Sequence, residues 1–212
     1  MGDAADDSPI HRATARPDRA RLFDVASEQG GYFTAEQARA CGYSWALLSH
    51  HVKSGRFIRV RRGLYRYREY PSSSRQDVLA AWLALGKEVA VVSHDSALDL
   101  LDLSDVIPGA AHLTVPRSRR NLPELPGVRV HTTLRPFQPG DLTYRDGMVI
   151  TSAMRTILDT AEAGTAPDQV ERAVIQAVER GLVSPDQLRR DAAERGRRVA
   201  TLIDGVLRRI PA

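Results

Sequence analysis

The spacing of apolar residues near the start of the chain predicts three short helices in succession. The first helix begins after Asp18, a residue type that caps helices, and ends at Gly30–Gly31. The second begins after Thr34, which precedes Gln37 by three residues as in a capping box, and it ends at Gly42. Both helices are therefore bounded by signals in the local sequence.

The third helix is predicted over Trp45–Ser54, with Ser44 as its N-cap. Within this helix Trp45, Leu48 and Val52 recur at helical spacing and predict one buried stripe. The outward face then carries Ala46, Ser49, His50 and Lys53. This face is mostly polar, as expected of a surface that meets solvent or a polar partner.

A β-hairpin with a basic face is predicted after the third helix. The segment 57–67 alternates in polarity around a turn at Arg62–Gly63. Its apolar face consists of Ile58, Val60, Tyr65 and Tyr67, and its other face of Arg59, Arg61, Leu64 and Arg66, with Arg62 at the tip. Arg59 then lies opposite Arg66, and two facing cations repel each other unless they meet anions. The alternative is a solvated edge strand whose charges prevent aggregation.

Three helices followed by a basic hairpin are typical of a winged helix-turn-helix, a DNA-binding fold. In this fold the third helix enters the major groove and the hairpin lies along the phosphate backbone. The predicted DNA contacts are Tyr43, Ser44, Ser49, His50, Lys53, Arg59, Arg61, Arg62 and Arg66. For each polar position on the helix, an ordinary solvent-exposed face is the alternative.

The remainder of the chain predicts a second domain of the α+β class. Residues 69–74 are typical of a linker. The predicted parts are a disordered tail at 1–15, a winged helix-turn-helix domain at 16–70 and a C-terminal α+β domain at 75–212. Short strands are predicted near 89–92, 112–115, 128–131, 142–144 and 148–150. Helices are predicted before, between and after these strands, near 78–85, 93–103, 152–163, 167–180, 185–194 and 197–209.

The net charge of +4 on the 212 residues is concentrated in one segment. Residues 11–75 carry 13 basic and five acidic side chains, whereas residues 76–212 carry 17 basic and 18 acidic ones. The first ten residues carry three acidic side chains and no basic one. The predicted DNA-binding domain is thus the basic part of the protein, as expected of a domain that binds a polyanion.

Composition and motifs argue against several other classes of protein. Cys41 is the one cysteine, so an internal disulfide and a cysteine zinc site are excluded. The acidic start lacks the apolar region of a signal peptide, and the apolar stretch 78–92 is too short and interrupted to cross a bilayer, so we expect a cytoplasmic protein. Glycine-rich phosphate loops, nucleophile elbows and metal-ligand spacings are missing. We therefore expect no enzymatic activity, no cofactor and no metal.

A second basic cluster lies in a proline-rich loop of the predicted α+β domain. It consists of Arg117, Arg119 and Arg120. These side chains are candidates for contact with a phosphate or with an acidic surface on a protein partner. A solvated loop is the alternative.

Several strings in both predicted domains match those of a known family. They are GYFTAEQA at 31–38, IRVRRGLY at 58–65, VSHDSAL at 92–98, HLTVP at 112–116 and ITSAMRTILD at 150–159. With these strings in this order, the chain resembles the AbiEi-like antitoxins of abortive-infection type IV toxin–antitoxin systems, the AbiE class. The resemblance runs from about Arg21 to Leu182.

The resemblance implies two tasks for the protein. The winged helix would bind inverted repeats in the promoter of its own operon and repress it. The second domain would counteract a cognate nucleotidyltransferase-like toxin, directly or indirectly. The family's basic wing is matched by Arg59, Arg61, Arg62 and Arg66, and its recognition helix by Ser44, Ser49, His50 and Lys53. In the second domain Ser93, His94, Arg155 and Asp159 also match, and we expect Arg155 to pair with Asp159 four residues on and to order the domain.

Two other functions are consistent with the sequence. One is an enzyme-like antitoxin that modifies its toxin covalently, for example by phosphoryl transfer. The other is a plain winged-helix transcription factor whose second domain senses a ligand.

Overall fold

Helices alternate with strands of two sheets along residues 16–122 and 124–210, the part of the chain that the computed structural model describes. The chain divides between Pro71 and Ser72 into two units, called here the N-terminal and the C-terminal unit. This mixture confirms the predicted α+β class. The tail predicted at 1–15 lies outside the described residues. Within the described part, every helix is too short or too polar to cross a membrane.

The N-terminal unit contains the predicted helices and hairpin, together with one more strand. Its described helices are α1 (Arg19–Ser27), α2 (Ala35–Ala40) and α3 (Trp45–Lys53). Its described strands are β1 (Tyr32–Thr34), β2 (Phe57–Arg61) and β3 (Leu64–Tyr67). The apolar pattern did not predict β1, because three residues are too few to show an alternation.

The helix starts are set by the capping residues that the sequence predicts. The Asp18 carboxylate accepts a hydrogen bond from the first turn of α1 at 2.9 Å. Thr34 and Gln37 make both bonds of a capping box, at 3.1 and 2.8 Å. Ser44 caps α3 through a bond from the Leu47 N–H at 3.1 Å. Each bond satisfies a backbone N–H that the helix itself leaves unpaired.

The register of the hairpin differs from the predicted one because β2 contains a bulge. Arg61 lies opposite Leu64 as predicted. The bulge falls between Arg59 and Arg61, however, and therefore shifts the rest of the strand by one position. Arg59 lies opposite Tyr65 rather than opposite Arg66, so the two cations that were predicted to repel each other are not paired.

This shift divides the predicted basic face of the hairpin, which consisted of Arg59, Arg61, Leu64 and Arg66. Residues directly opposite each other on a ladder share a face, so Arg59 shares a face with Tyr65 and Arg61 shares the other face with Leu64. Leu64 was predicted to be on the outer face, but it is buried, and it lies opposite Thr34 of β1. The sheet order is β1-β3-β2, with all pairs antiparallel.

Aromatic rings form the core of the N-terminal unit. The Phe57 ring lies 4.9 Å from the Phe33 ring and 4.9 Å from the Tyr67 ring, and the Phe33 ring lies 5.8 Å from the Tyr65 ring. These rings come from all three strands and share one face of the sheet. Apolar residues from the three helices complete this core, namely Leu22, Ala26, Ala35, Ala38 and Leu48.

The C-terminal unit is built around a mixed five-stranded sheet. Its strands are β4 (Val91–Val92), β5 (Ala111–Pro116), β6 (Val128–Thr133), β7 (Leu142–Arg145) and β8 (Met148–Thr151). Their order is β6-β5-β4-β8-β7, and the central β4 is antiparallel to β5 and parallel to β8. The predicted strands are therefore confirmed in number and position.

Helices precede, interrupt and follow this sheet. They are α4 (Gln76–Leu85), α5 (His94–Leu100), α6 (Ala153–Ala163), α7 (Pro167–Glu179), α8 (Pro185–Glu194) and α9 (Arg197–Leu207). The last four pack around one apolar cluster that includes Ile157, Val170, Val174, Leu188, Val199 and Ile203. Ser152 follows the last residue of β8 and caps α6, so the sheet and this helical cluster are connected without an intervening loop.

Candidate functional site

The exposed face of α3 carries the predicted polar contacts. Ser49, His50 and Lys53 are exposed, and Ser44 is exposed at the start of the helix. The Ser44 hydroxyl accepts the bond from Leu47, which leaves its own proton available to a further acceptor. These residues are therefore accessible to an external partner.

The buried stripe of α3 is rotated relative to the prediction. Trp45 was predicted to be buried, but it is 58% exposed, with the Arg39 guanidinium 5.9 Å from its ring. His51 is buried in its place, 5.0 Å from the Phe57 ring. The reason is that an imidazole fits between the aromatic rings of the sheet, whereas an indole at the first position of α3 lies beyond the edge of that core. Trp45 thus joins the exposed face, which sequence reasoning missed.

Burial also changes the titration of His51. Desolvation is the main cause that lowers the pKa of His51 below its usual range, and the positive charges of Arg56 and His50 lower it further. Arg56 and Arg19 are exposed, and both line a groove of about 990 Å³ together with His50. Sequence reasoning also missed these two arginines as candidate contacts, although the excess of basic residues in 11–75 points to them.

Tyr43 is a core residue, so the prediction that it contacts DNA is wrong. It is 3% exposed, and its ring lies 5.9 Å from the His51 ring and 6.0 Å from the Phe57 ring. Burial raises the pKa of the Tyr43 hydroxyl above its ordinary value. A tyrosine directly before the N-cap packs under the helix, and the apolar pattern alone did not show this.

The hairpin presents fewer arginines than predicted. Arg59 and Arg62 are exposed, and Arg61 is half-buried. Arg66 is 6% exposed, and its Nη2 donates to the carbonyls of Tyr70 and Pro71, at 2.7 Å each. Alternation along β3 places Arg66 on the face opposite Tyr65 and Tyr67, where its hydrogen bonds hold the end of the N-terminal unit. The prediction that Arg66 contacts DNA is therefore wrong.

The C-terminal unit contains a polar cavity that the sequence did not predict. Its volume is about 390 Å³, and its walls come from α5, β5, β6, α6 and the turn before α9. The lining includes His94, His131, Arg117, Arg135, Arg155 and Arg195. These residues are far apart in the sequence, and the sheet brings them together.

Three of the six histidines of the chain meet at this cavity. The rings of His94 and His131 are stacked with centroids 3.5 Å apart, and His112 Nδ1 lies 3.3 Å from His131 Nε2. Burial, followed by the charge of its histidine neighbours, lowers the pKa of His94 to about 2. Burial, and to a smaller extent the charge of His112, lowers the pKa of His131 to about 4. Both rings are therefore neutral at pH 7.

A network of ion pairs lines the cavity, with Arg155 and Asp159 buried and Glu162 exposed. The Arg155 Nε donates to both carboxylate oxygens of Asp159, at 2.9 and 2.8 Å, which confirms the predicted pair. Arg195 Nη1 donates to Asp159 at 2.8 Å and to Glu162 at 2.5 Å. Burial opposes the charge on Arg195, but these two carboxylates raise its pKa above the ordinary value.

The predicted arginine cluster at 117–120 is divided by the fold. Arg117 lies at the rim of the cavity. Arg119 and Arg120 are exposed but do not line it. Within the described residues, histidine, cysteine and carboxylate side chains form no cluster of three or more that is suited to hold a metal ion.

The three helices, the hairpin and the exposed face of α3 define a winged helix-turn-helix protein. Residues 20–68 match the family model described as "Transcriptional regulator, AbiEi antitoxin". The predicted resemblance to AbiEi antitoxins is therefore confirmed over this segment.

The fold of the whole chain has a counterpart among solved structures. The crystal structure of RV2827C protein from Mycobacterium tuberculosis is similar, with a TM-score of 0.62 and 17% sequence identity. The similarity covers 89% of this chain and 75% of that chain. A comparison with curated proteins gives no match. At this low identity the likeness concerns the fold alone.

The buried histidines predict a specific dependence of stability on pH. An unfolded histidine has a pKa near 6.5, whereas folded His94 has one of about 2, so protons favour the unfolded state as the pH falls below 6.5. Between pH 7 and pH 5 His94 alone should lower the free energy of unfolding by about 2 kcal/mol. His94→Asn should reduce the loss by this amount, and asparagine tolerates the positive φ of 51° at this position.

The measurement is denaturant unfolding at pH 7 and pH 5, followed by Trp82 fluorescence in a Trp45→Phe background. Trp82 lies buried in the C-terminal unit and reports on it. Equal losses of stability in the parent and in His94→Asn would contradict the assignment of this pH dependence to His94.

Proposed function

We propose that the protein binds the promoter of its own operon, represses its transcription and counteracts a nucleotidyltransferase-like toxin encoded beside it. The family match over 20–68 supports regulation of transcription by an antitoxin. The observation that carries the DNA-binding part is the exposed face of α3, flanked by exposed arginines on the hairpin. In this proposal two copies of the chain bind the two halves of an inverted repeat.

The exposed face of α3 enters the major groove in this proposal. Ser49, His50 and Lys53 then contact base edges or nearby phosphates, and Ser44 donates to a phosphate at the start of the helix. Trp45 joins them, because its exposed indole lies one turn before Ser49 on the same face. Hydroxyl, imidazole and ammonium groups can form hydrogen bonds with base edges and with phosphate oxygens.

The hairpin supplies contacts to the phosphate backbone. Arg59 and Arg62 have the exposure that such contacts need, and Arg61 joins them from the other face of β2. Arg19 and Arg56 extend the basic surface beside His50. Contacts of this type position the protein on DNA and make its affinity depend on salt.

The dependence of affinity on salt tests the role of the hairpin. In the double variant Arg59→Ala, Arg62→Ala, the slope of log affinity against log salt should become shallower by about 0.9 for each lost phosphate contact, hence by roughly 1.8 for each bound copy and roughly 3.6 for two copies on an inverted repeat. The measurement is fluorescence anisotropy with a labelled duplex from the chain's own promoter, at four or more salt concentrations.

A matched control removes the same charge elsewhere. Arg190 and Arg197 are exposed in the C-terminal unit, so the variant Arg190→Ala, Arg197→Ala changes the net charge equally. Its slope should equal that of the parent. A hairpin variant with the slope of the parent would rule out Arg59 and Arg62 as phosphate contacts.

The C-terminal unit is the part that counteracts the toxin in this proposal. Producing the neighbouring nucleotidyltransferase alone should stop growth of the host cell, and producing this chain with it should restore growth. The variant Arg59→Ala, Arg62→Ala should restore growth equally well while losing repression of a promoter–reporter fusion, because its altered residues lie outside the C-terminal unit.

Growth assays and the reporter separate the two tasks. A neighbouring gene without toxicity, or a toxin that this chain does not counteract, contradicts the antitoxin proposal. A hairpin variant that loses both activities contradicts the assignment of toxin counteraction to the C-terminal unit.

A further inference from the structure

The cavity of the C-terminal unit contains a buried guanidinium with donors to spare. Arg195 has a side chain that is 9% exposed, and its Nη1 serves both Asp159 and Glu162. Its Nε and Nη2 make no hydrogen bond within residues 16–122 and 124–210. Arg195 lines the cavity, so these two nitrogens are available to an acceptor that enters it.

Two further arginines at the rim also have free donors. Arg117 is exposed and makes no ion pair with any part of the chain that the structure describes. Arg135 uses one side-chain nitrogen, Nη1, for Glu162 at 3.3 Å, which leaves its other side-chain nitrogens available. Together with Arg195, these side chains direct donors into one cavity from three elements of the fold.

The two stacked histidines present polar atoms to the same space. His94 Nδ1 lies 2.9 Å from the Ser93 hydroxyl, and His131 Nε2 is used by His112, so each imidazole keeps one ring nitrogen without a partner in the described chain. His94 is also held at a φ of 51°, a strained value for a residue with a Cβ. Strain of this kind persists where a side chain must be held in one place for function.

The charges of the lining select an anion. Four arginines line the cavity, against the carboxylates of Asp159 and Glu162. Asp141 adds a third carboxylate through its 3.1 Å contact with Arg155, whose remaining donor, Nη2, reaches Thr133 at 3.4 Å. Four arginines against three carboxylates leave the lining with a net positive charge. The donors without an acceptor among the described residues belong to Arg117, Arg135 and Arg195.

The arrangement of these donors fits a phosphate group. A phosphate carries three or more oxygens that accept bonds from several directions, and planar guanidinium groups bind it well. The volume of about 390 Å³ lies in the range of small-ligand pockets. We propose that this cavity binds the phosphate groups of a small nucleotide or polyphosphate. This proposal does not rest on DNA binding by the N-terminal unit.

The test is isothermal titration calorimetry on the full chain, in phosphate-free buffer without divalent cations. The two probes are pyrophosphate and adenosine triphosphate. The variants are Arg117→Gln, at the rim, and Arg119→Gln, a matched control two residues on that is exposed but outside the cavity. Arg59→Ala, Arg62→Ala removes the exposed arginines of the hairpin and tests whether the probes bind there instead.

We expect saturable binding of one probe molecule per chain, weakened roughly tenfold or more by Arg117→Gln and unchanged in the other two variants. Equal affinity for both probes assigns the ligand as a polyphosphate, and tighter binding of adenosine triphosphate assigns it as a nucleotide. The proposal is overturned if neither probe binds saturably, if Arg117→Gln binds like the parent, or if the hairpin variant alone loses binding.

Discussion

The contacts of the Phe57 ring determine which side of α3 is buried and which side is exposed. This ring touches Phe33 on β1, His51 on α3 and Tyr67 on β3, with centroids 4.9, 5.0 and 4.9 Å away. Aromatic pairs of this kind each contribute about 0.5–1.5 kcal/mol beyond the area they bury. Because His51 packs against this ring, the opposite side of α3 is held outward. The accessibility of Ser49 and Lys53 follows from that single packing arrangement.

Features that depend on residues close together in the sequence were predictable. Caps such as Asp18, Ser44 and the Thr34–Gln37 box depend on residues three positions apart, so the local pattern was sufficient for them. The pair of Arg155 and Asp159, one helical turn apart, was predictable for the same reason. Apart from β1, the order of helices and strands in both units also follows from local periodicity.

Features that depend on packing between distant segments were not predictable. The pairing of β3 with β1, a strand that the apolar pattern did not predict, places Tyr65 and Tyr67 against Phe33. Tyr43 packs against His51 and Phe57, and Arg66 donates to the carbonyls of Tyr70 and Pro71, so both support the N-terminal unit structurally. The cavity of the C-terminal unit was missed because His94, His131 and Arg195 lie on different elements and meet only in the folded chain.

The central claim is that the exposed face of α3 is the surface that meets DNA, and Trp45 reports on this most directly. Its fluorescence should change when a duplex from the chain's own promoter is added, because the exposed indole loses contact with water at the interface. The change should saturate together with binding measured by anisotropy, reverse in high salt and be absent from Trp45→Phe. Unchanged Trp45 emission at saturating duplex would contradict the claim.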